Sequence, residues 1–259
     1  MIADLASLVP IAQSLLWLGF AVFVRVGAMM AVLPIFGEQS VPLRLRLGVT
    51  LAFTAIVAPA LETSIGPAPV SLIGAVQLLG PEVFAGLFFG LGLRFFVFVL
   101  QIAGSIAAQS TSLSQIFGGT AGVDPLPAMG RFFVVGGLAL AAILGLHVRF
   151  AAYMLQSYQM LPFGVLIAPE LMMTVGVKEV SRTFALGFTL AAPFVVASLI
   201  YNVTLGVINR AMPQLLVSFI GAPAITAGGM IMMLIATPVL LAIWMTAFGD
   251  FLAAPFEVR

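Results

Sequence analysis

The chain has 259 residues, 62% of them hydrophobic and only 7% charged, with a formal net charge of +1. Soluble domains carry roughly 25% charged residues, so this composition excludes an ordinary globular protein and implies an integral membrane protein whose solvent is lipid. The near-neutral charge points to no nucleic acid, and the absence of cysteine removes disulfides, thiolate metal sites and cysteine nucleophiles.

Hydrophobic blocks follow one another at about 5–36, 47–61, 69–103, 131–168, 183–208 and 215–248, to be compared with the roughly 20 residues that cross a bilayer as a helix. The first lacks a positive n-region, since Arg25 is the first basic residue, and is expected to stay in the mature protein. The second is short and lies between Arg46 and Glu62. The third is too long for one simple span, and Gly80, Pro81, Glu82 and then Arg94 interrupt it. The fifth contains Pro193, and the last contains Pro223 and Pro238. Proline removes a backbone donor and kinks or ends a helix, and backbone freed in this way must be satisfied by protein or water. The pattern therefore predicts an all-α membrane protein, one membrane domain over 1–259, built from about six hydrophobic segments as Pro/Gly-broken helices and hairpins. Gly66–Pro69 reads as a turn. A polar interval at about 107–128, AAQSTSLSQIFGGTAGVDPLPA, reads as the longest loop.

Three polar constellations stand out against this background. In the first, Arg25 sits within an apolar helix, Pro34, Gly37 and Pro42 make a corner, and Glu38, Arg44 and Arg46 mark its polar edge. An interfacial turn with snorkelling arginines explains it simply; the sharper reading pairs Arg25 or Arg46 with a carboxylate across a subunit contact. The second lies in 202–223, NVTLGVINRAMPQLLVSFIGAP, where Asn202, Asn209, Arg210 and Gln214 occupy strongly apolar sequence. A charge at membrane depth costs about 3 kcal/mol on insertion scales, so Arg210 calls for a partner, a water-filled cavity or a headgroup. The third is the polar interval itself, where Ser110, Ser112, Leu113, Ser114 and Gln115 precede Ile116, Phe117, Gly118 and Gly119. Such a segment is either an ordinary extramembrane loop or a flexible apolar plug that blocks a wet conduit.

Smaller signals complete the set. Gly86 and Gly90 form a G-x-x-x-G spacing, which lets two helix backbones approach closely. His147 is the single histidine and has no companion ligands, so no metal site is expected. Phosphate-loop, zinc-protease and serine-hydrolase signatures are all missing. No cofactor is implied, and the chain reads as a non-enzyme.

The blocks Leu205-Gly206-Val207-Ile208-Asn209-Arg210-Ala211-Met212-Pro213-Gln214 and Ile220-Gly221-Ala222-Pro223 resemble the L-G-L-x-N-R-x-x-P-Q-x-N…I-G-F-P pattern of the FliR/SctT family of type III secretion export-gate proteins. Arg25, Pro34, Glu38, Pro42, Arg44 and Arg46 are similar to its N-terminal pattern. Ala103-Gly104, Gln109, Gly145-Leu146-His147 and Leu161-Pro162-Phe163-Gly164 keep the same order between them. The resemblance covers about residues 14 to 245. The chain departs at Ser105, where the family often has Glu, at Leu216, and in the run after Gln109.

This resemblance implies a subunit that assembles with FliP and FliQ in the bacterial inner membrane, near FlhB and FlhA. There the assembly passes unfolded proteins at the flagellar basal body. It further implies a plug formed by Ser110–Gly119, and Arg25, Glu38, Arg44, Arg46, Arg94, Asn202, Asn209, Arg210 and Gln214 are expected to make intersubunit or buried polar contacts. The injectisome branch, SctT, shares the same blocks. A small-solute secondary transporter would also use broken helices and midplane polar groups, but it predicts an internal repeat, and none is evident.

Overall fold

The computed structural model describes residues 2–38, 41–111, 128–212 and 217–256. Among them the chain forms seven α-helices and no strand. They are α1 (Ile2–Val32), α2 (Leu43–Val57) with a 3-10 turn at Ala58–Leu61, α3 (Leu72–Ser110), α4 (Ala128–Ile143), α5 (Leu146–Met160), α6 (Pro169–Ala211) and α7 (Val217–Ala253). Five helical segments are long and apolar enough to cross a membrane, or six if the broken pair α4–α5 is one span. The chain is an all-α, multi-pass membrane protein.

The helices break at the corner at 34–42 and at the turn at 66–69, as the sequence predicts, but not at the prolines within the long apolar blocks. Pro81, Pro193, Pro223 and Pro238 all lie inside uninterrupted helices. A proline within a helix removes one N–H, whereas ending the helix leaves four N–H and four C=O groups unpaired. In hydrocarbon each unsatisfied group costs several kcal/mol, so the chain continues through proline instead. The breaks that flank α5 use left-handed backbone: Gly145 has φ 78° and Gly164 has φ 75°, a region glycine enters without a Cβ clash. At the corner after α1, Ile35 takes φ 71°, an uncommon conformation for a β-branched residue. The Gly37 N–H donates to Leu33 O at 2.7 Å, and Arg46 Nε donates to Phe36 O at 3.2 Å, which together hold that corner.

The polar interval also begins later than its composition suggests. Ala107 to Ser110 form the last turn of α3. The Ser110 hydroxyl donates to Ile106 O at 2.8 Å and the Thr111 hydroxyl to Ala107 O at 2.9 Å. Bonding back one turn in this way lets small hydroxyl residues stay in an apolar helix. Residues 112–127 lie outside the described residues.

The chain divides into two compact units. Unit 1 comprises Met1–Arg94, Leu144–Val177 and Leu252–Arg259. Its core is a stripe on α1, formed by Val22, Val26, Met29 and Met30 and continued by Leu33 just beyond it, with Ala85, Phe89 and Leu93 of α3 and Phe150, Tyr153 and Met154 of α5. The three-and-four spacing on each helix marks one buried face. The Tyr153 hydroxyl is satisfied by Phe89 O at 2.9 Å.

Unit 2 comprises Phe95–Ile143 and Lys178–Phe251. Phe96, Val99 and Leu100 of α3, Phe133 of α4, Leu190 and Phe194 of α6, and Trp244 and Phe248 of α7 build its core. Trp244 Nε1 donates to Phe96 O at 2.8 Å, which satisfies the indole while its ring packs on Phe248. A Cβ placed on Gly104 would lie 2.4 Å from Gly130 Cα and 2.7 Å from Gly130 N, so α3 and α4 meet backbone to backbone here. Gly104→Ala is expected to cost about 1–3 kcal/mol, because backbone cannot move aside as a flexible side chain can. Thermal unfolding of the detergent-solubilised protein reads this directly, and an unchanged midpoint would contradict the close approach.

Candidate functional site

The polar centre of unit 1 grows from two charges that neither helix could bury alone. Arg25 falls on the inward stripe of α1, one turn before Met29. Glu82 falls on the inward stripe of α3, formed by residues 82, 85, 86, 89 and 93. Both side chains are fully buried. Arg25 Nε donates to Glu82 Oε2 at 2.7 Å, and its NH2 group donates to Oε1 at 2.9 Å. This fork-on-fork geometry is the strongest form of carboxylate recognition available to arginine.

The remaining valences are filled by the C-terminal end of α5 and the turn beyond it. The NH1 group of Arg25 donates to Ser157 O at 3.1 Å and to Leu161 O at 2.8 Å. Carbonyls at a helix C-terminus carry partial negative charge and suit a guanidinium. Gly164 N–H donates to Glu82 Oε1 at 2.9 Å, and the left-handed backbone at this glycine forms part of the turn that presents it. The Tyr158 ring lies 3.7 Å from the guanidinium carbon, a cation–π contact in desolvated surroundings. Four elements are thus tied to one ion pair. The cluster fixes the relative geometry of these elements.

A second pair sits at the corner between α1 and α2. Arg94 NH1 bonds Glu38 Oε1, and both side chains are part-exposed. Arg46 donates to the backbone oxygens of Phe36 and Glu38, while Arg44 is exposed. The carboxylate expected for Arg25 across a subunit contact is therefore found inside this chain, as Glu82. Arg46 is held by carbonyls in place of a carboxylate.

The other candidate residues are spread along the chain. Gly86 and Gly90 face α1: a Cβ on Gly86 would lie 2.3 Å from Arg25 O, and one on Gly90 would lie 2.9 Å from Met29 O. Asn202, Asn209 and Arg210 are exposed on α6, and Asn202 Nδ2 donates to Ser198 Oγ at 3.2 Å. His147 is exposed just after the break at Gly145. Ser110 ends α3. Ser112, Leu113, Ser114, Gln115, Ile116, Phe117, Gly118, Gly119 and Gln214 lie outside the described residues. Among the described residues, no group of three or more His, Asp or Glu side chains is placed to hold a metal ion.

Sequence reasoning missed Glu82, Ser157, Tyr158, Leu161 and Gly164 as members of the site. A signal for Glu82 was present: an isolated acid and an isolated base, each inside an apolar helix, are each costly alone and stable together.

A helical, multi-pass fold with a buried ion pair inside one of its two units defines an integral membrane protein. The chain belongs to the family described as bacterial export proteins, family 1, whose profile matches residues 16–251. It is similar to the flagellar biosynthetic protein FliR of Caulobacter vibrioides, 32% identical over 232 residues, covering 89% of this chain and 92% of the relative. The FliR protein of Escherichia coli K12 is 28% identical over 235 residues, covering 88% of each chain. That of Bacillus subtilis 168 is 24% identical over 234 residues, covering 88% of this chain and 89% of the relative.

Proposed function

We propose that the protein is a structural, channel-forming and non-enzymatic subunit of the flagellar type III export gate. In this reading it assembles with FliP and FliQ in the bacterial inner membrane, at the flagellar basal body and near FlhB and FlhA. Unfolded flagellar proteins pass through the assembly, and the subunit needs no cofactor. The similarity to flagellar FliR proteins along nearly the whole chain favours the flagellar branch over the injectisome branch.

The observation that carries the reading is a mismatch between helix length and bilayer. With 43 residues in α6 and a rise of 1.5 Å per residue, the helix is about 64 Å long, against a hydrocarbon core of about 30 Å. A tilt of 40° still leaves it spanning about 49 Å along the normal. Yet exposed apolar side chains run from Leu171, Met173 and Val177 through Phe184, Phe188 and Leu199 to Val207, about 54 Å of helix and about 41 Å along the normal at that tilt, and only 28% of its most apolar window is buried by the chain itself. An apolar face longer than lipid can cover calls for protein neighbours. Asn202, Asn209 and Arg210, exposed on the same helix, would meet polar groups of those neighbours.

Within this assembly the segment Ser110–Gly119 is assigned as the plug, with Leu113, Ile116 and Phe117 excluding water from the lumen at rest. Deleting it is expected to raise small-ion leak through the assembled complex without abolishing assembly. An unchanged leak would remove the plug role, while recovery of the intact chain as a stable monomer, without heteromeric partners, would remove the gate reading itself.

A further inference from the structure

One face of α1 is covered along half of the helix and bare along the rest. Leu18, Val22, Val26 and Met29 follow one another at three- and four-residue spacing, and none is more than 8% exposed. The same spacing carried toward the N-terminus reaches Leu15 and Ile11, each 55% exposed. At about 100° per residue all six side chains share one stripe. Ala12 and Leu16 widen it, whereas Gln13 falls on the opposite side of the helix. Every residue from 9 to 16 is exposed, so the stripe continues but its cover does not.

Lipid does not account for the bare half. Trp17 Nε1 donates to Gly66 O at 3.1 Å, so the non-helical segment after Leu61 runs beside Trp17, with Glu62, Thr63 and Ser64 exposed in it. Lipid-exposed irregular backbone does not occur within hydrocarbon, and tryptophan is enriched where membrane meets water. Trp17 therefore lies at an edge of the bilayer. From Trp17 to Val32 the helix rises about 22 Å. From the corner beyond, α2 and its 3-10 turn return to the same segment over about 30 Å, the thickness of a hydrocarbon core. The stretch before Trp17 projects the other way, about 22 Å past that edge. A lone helix of about 15 residues is marginal in water, so this stretch needs a protein surface.

A second copy of the chain does not suit it. A face of about 22 by 10 Å offers roughly 220 Å², far below the roughly 800 Å² per partner of a stable interface. The stripe fits a helix that other contacts already hold alongside. We propose that α1 before Trp17 is a docking arm for an apolar helix of a different subunit. That helix continues over Ile11 and Leu15 the packing that Leu18 and Val22 receive within this chain. It is uncharged where it touches them, because no charged residue lies between Asp4 and Arg25, and it presents apolar side chains at matching three-and-four spacing. The inference rests on the reading of the chain as one subunit of a larger assembly.

The chain contains no cysteine, so Ile11→Cys, Leu15→Cys and Gln13→Cys each introduce a single thiol at an exposed position. The full-length protein is purified in lipid nanodiscs, from cells making it alone and from cells making the whole assembly. Both samples are treated with a water-soluble maleimide. Alone, all three thiols should react. In the assembly, labelling of Ile11→Cys and Leu15→Cys should fall at least about tenfold, since access controls thiol reactivity, while Gln13→Cys keeps reacting. Protection of positions 11 and 15 in the isolated chain would place them in lipid and overturn the proposal, as would undiminished labelling in the assembly. A disulfide-linked homodimer of Leu15→Cys on oxidation would put a second copy on the stripe and overturn it too. The two readings fail distinguishably. Recovery of partner subunits with positions 11 and 15 still reactive removes the docking arm alone, and recovery of the chain without partners removes the gate reading and the arm with it.

Discussion

Arg25→Ala is expected to destabilise the protein by about 3–5 kcal/mol, the range for breaking a buried ion pair by removing one partner. Most of that loss comes from what is left behind. Glu82 would remain fully buried with the Gly164 N–H as its remaining donor, and the carbonyls of Ser157 and Leu161 would lose the guanidinium they now receive. Arg25→Lys should recover part of the loss, because an ammonium keeps the charge but lacks the planar fork that grips both carboxylate oxygens. Arg25→Met combined with Glu82→Leu should be far less damaging than either single change, since no unpaired charge then stays in the core. Thermal unfolding in detergent measures each of these variants against wild type. If Arg25→Ala fell within about 1 kcal/mol of wild type, a structural role for the pair could not stand.

Gly86→Ala should cost about 1–3 kcal/mol, and Gly86→Val more. The added carbon would meet Arg25 O at 2.3 Å and the Ala28 Cβ at 2.7 Å, and neither is the flexible end of a side chain. Relief requires α1 and α3 to separate, and Glu82 lies one turn away on the same face of α3. The clash and the ion pair are therefore coupled: the Gly86 and Arg25 substitutions should be clearly non-additive in a double-mutant cycle, as residues sharing one contact are. Gly19→Ala is the control on α1. A Cβ there meets nothing within 4 Å, so the change should be neutral or stabilise by up to about 1 kcal/mol through the ordinary helix preference for alanine. Equal losses at Gly86 and Gly19 would show that close approach does not set the effect.

These residues also show what could be read from the amino acids. Helical membrane architecture follows from composition, because few other ways exist to satisfy a backbone in lipid. The Gly86–Gly90 spacing and the lone Arg25 are visible because they violate the surrounding pattern. Glu82 is visible in the same way, but pairing the two requires knowing which faces of α1 and α3 meet, a long-range fact across 57 residues. The prolines misled for a different reason. Their local cost is real, but in hydrocarbon the alternative of ending a helix is worse, so Pro81, Pro193, Pro223 and Pro238 mark no boundary. The true boundary at Gly145 carries a positive φ that no composition window detects.

The same ion pair sets an order of events during synthesis. Arg25 is made early, in the first helix, yet the carbonyl of Leu161 that completes its coordination is 136 residues further on. At translation rates of about 5–20 residues per second, that interval is roughly 7–27 s. Throughout it, α1 carries a cation that has no final home, first without Glu82 and then without the end of α5. The first helix therefore cannot settle at its final depth on its own schedule. It must be sheltered, by the insertion machinery or at the headgroup surface, until the chain's later part emerges and closes around it.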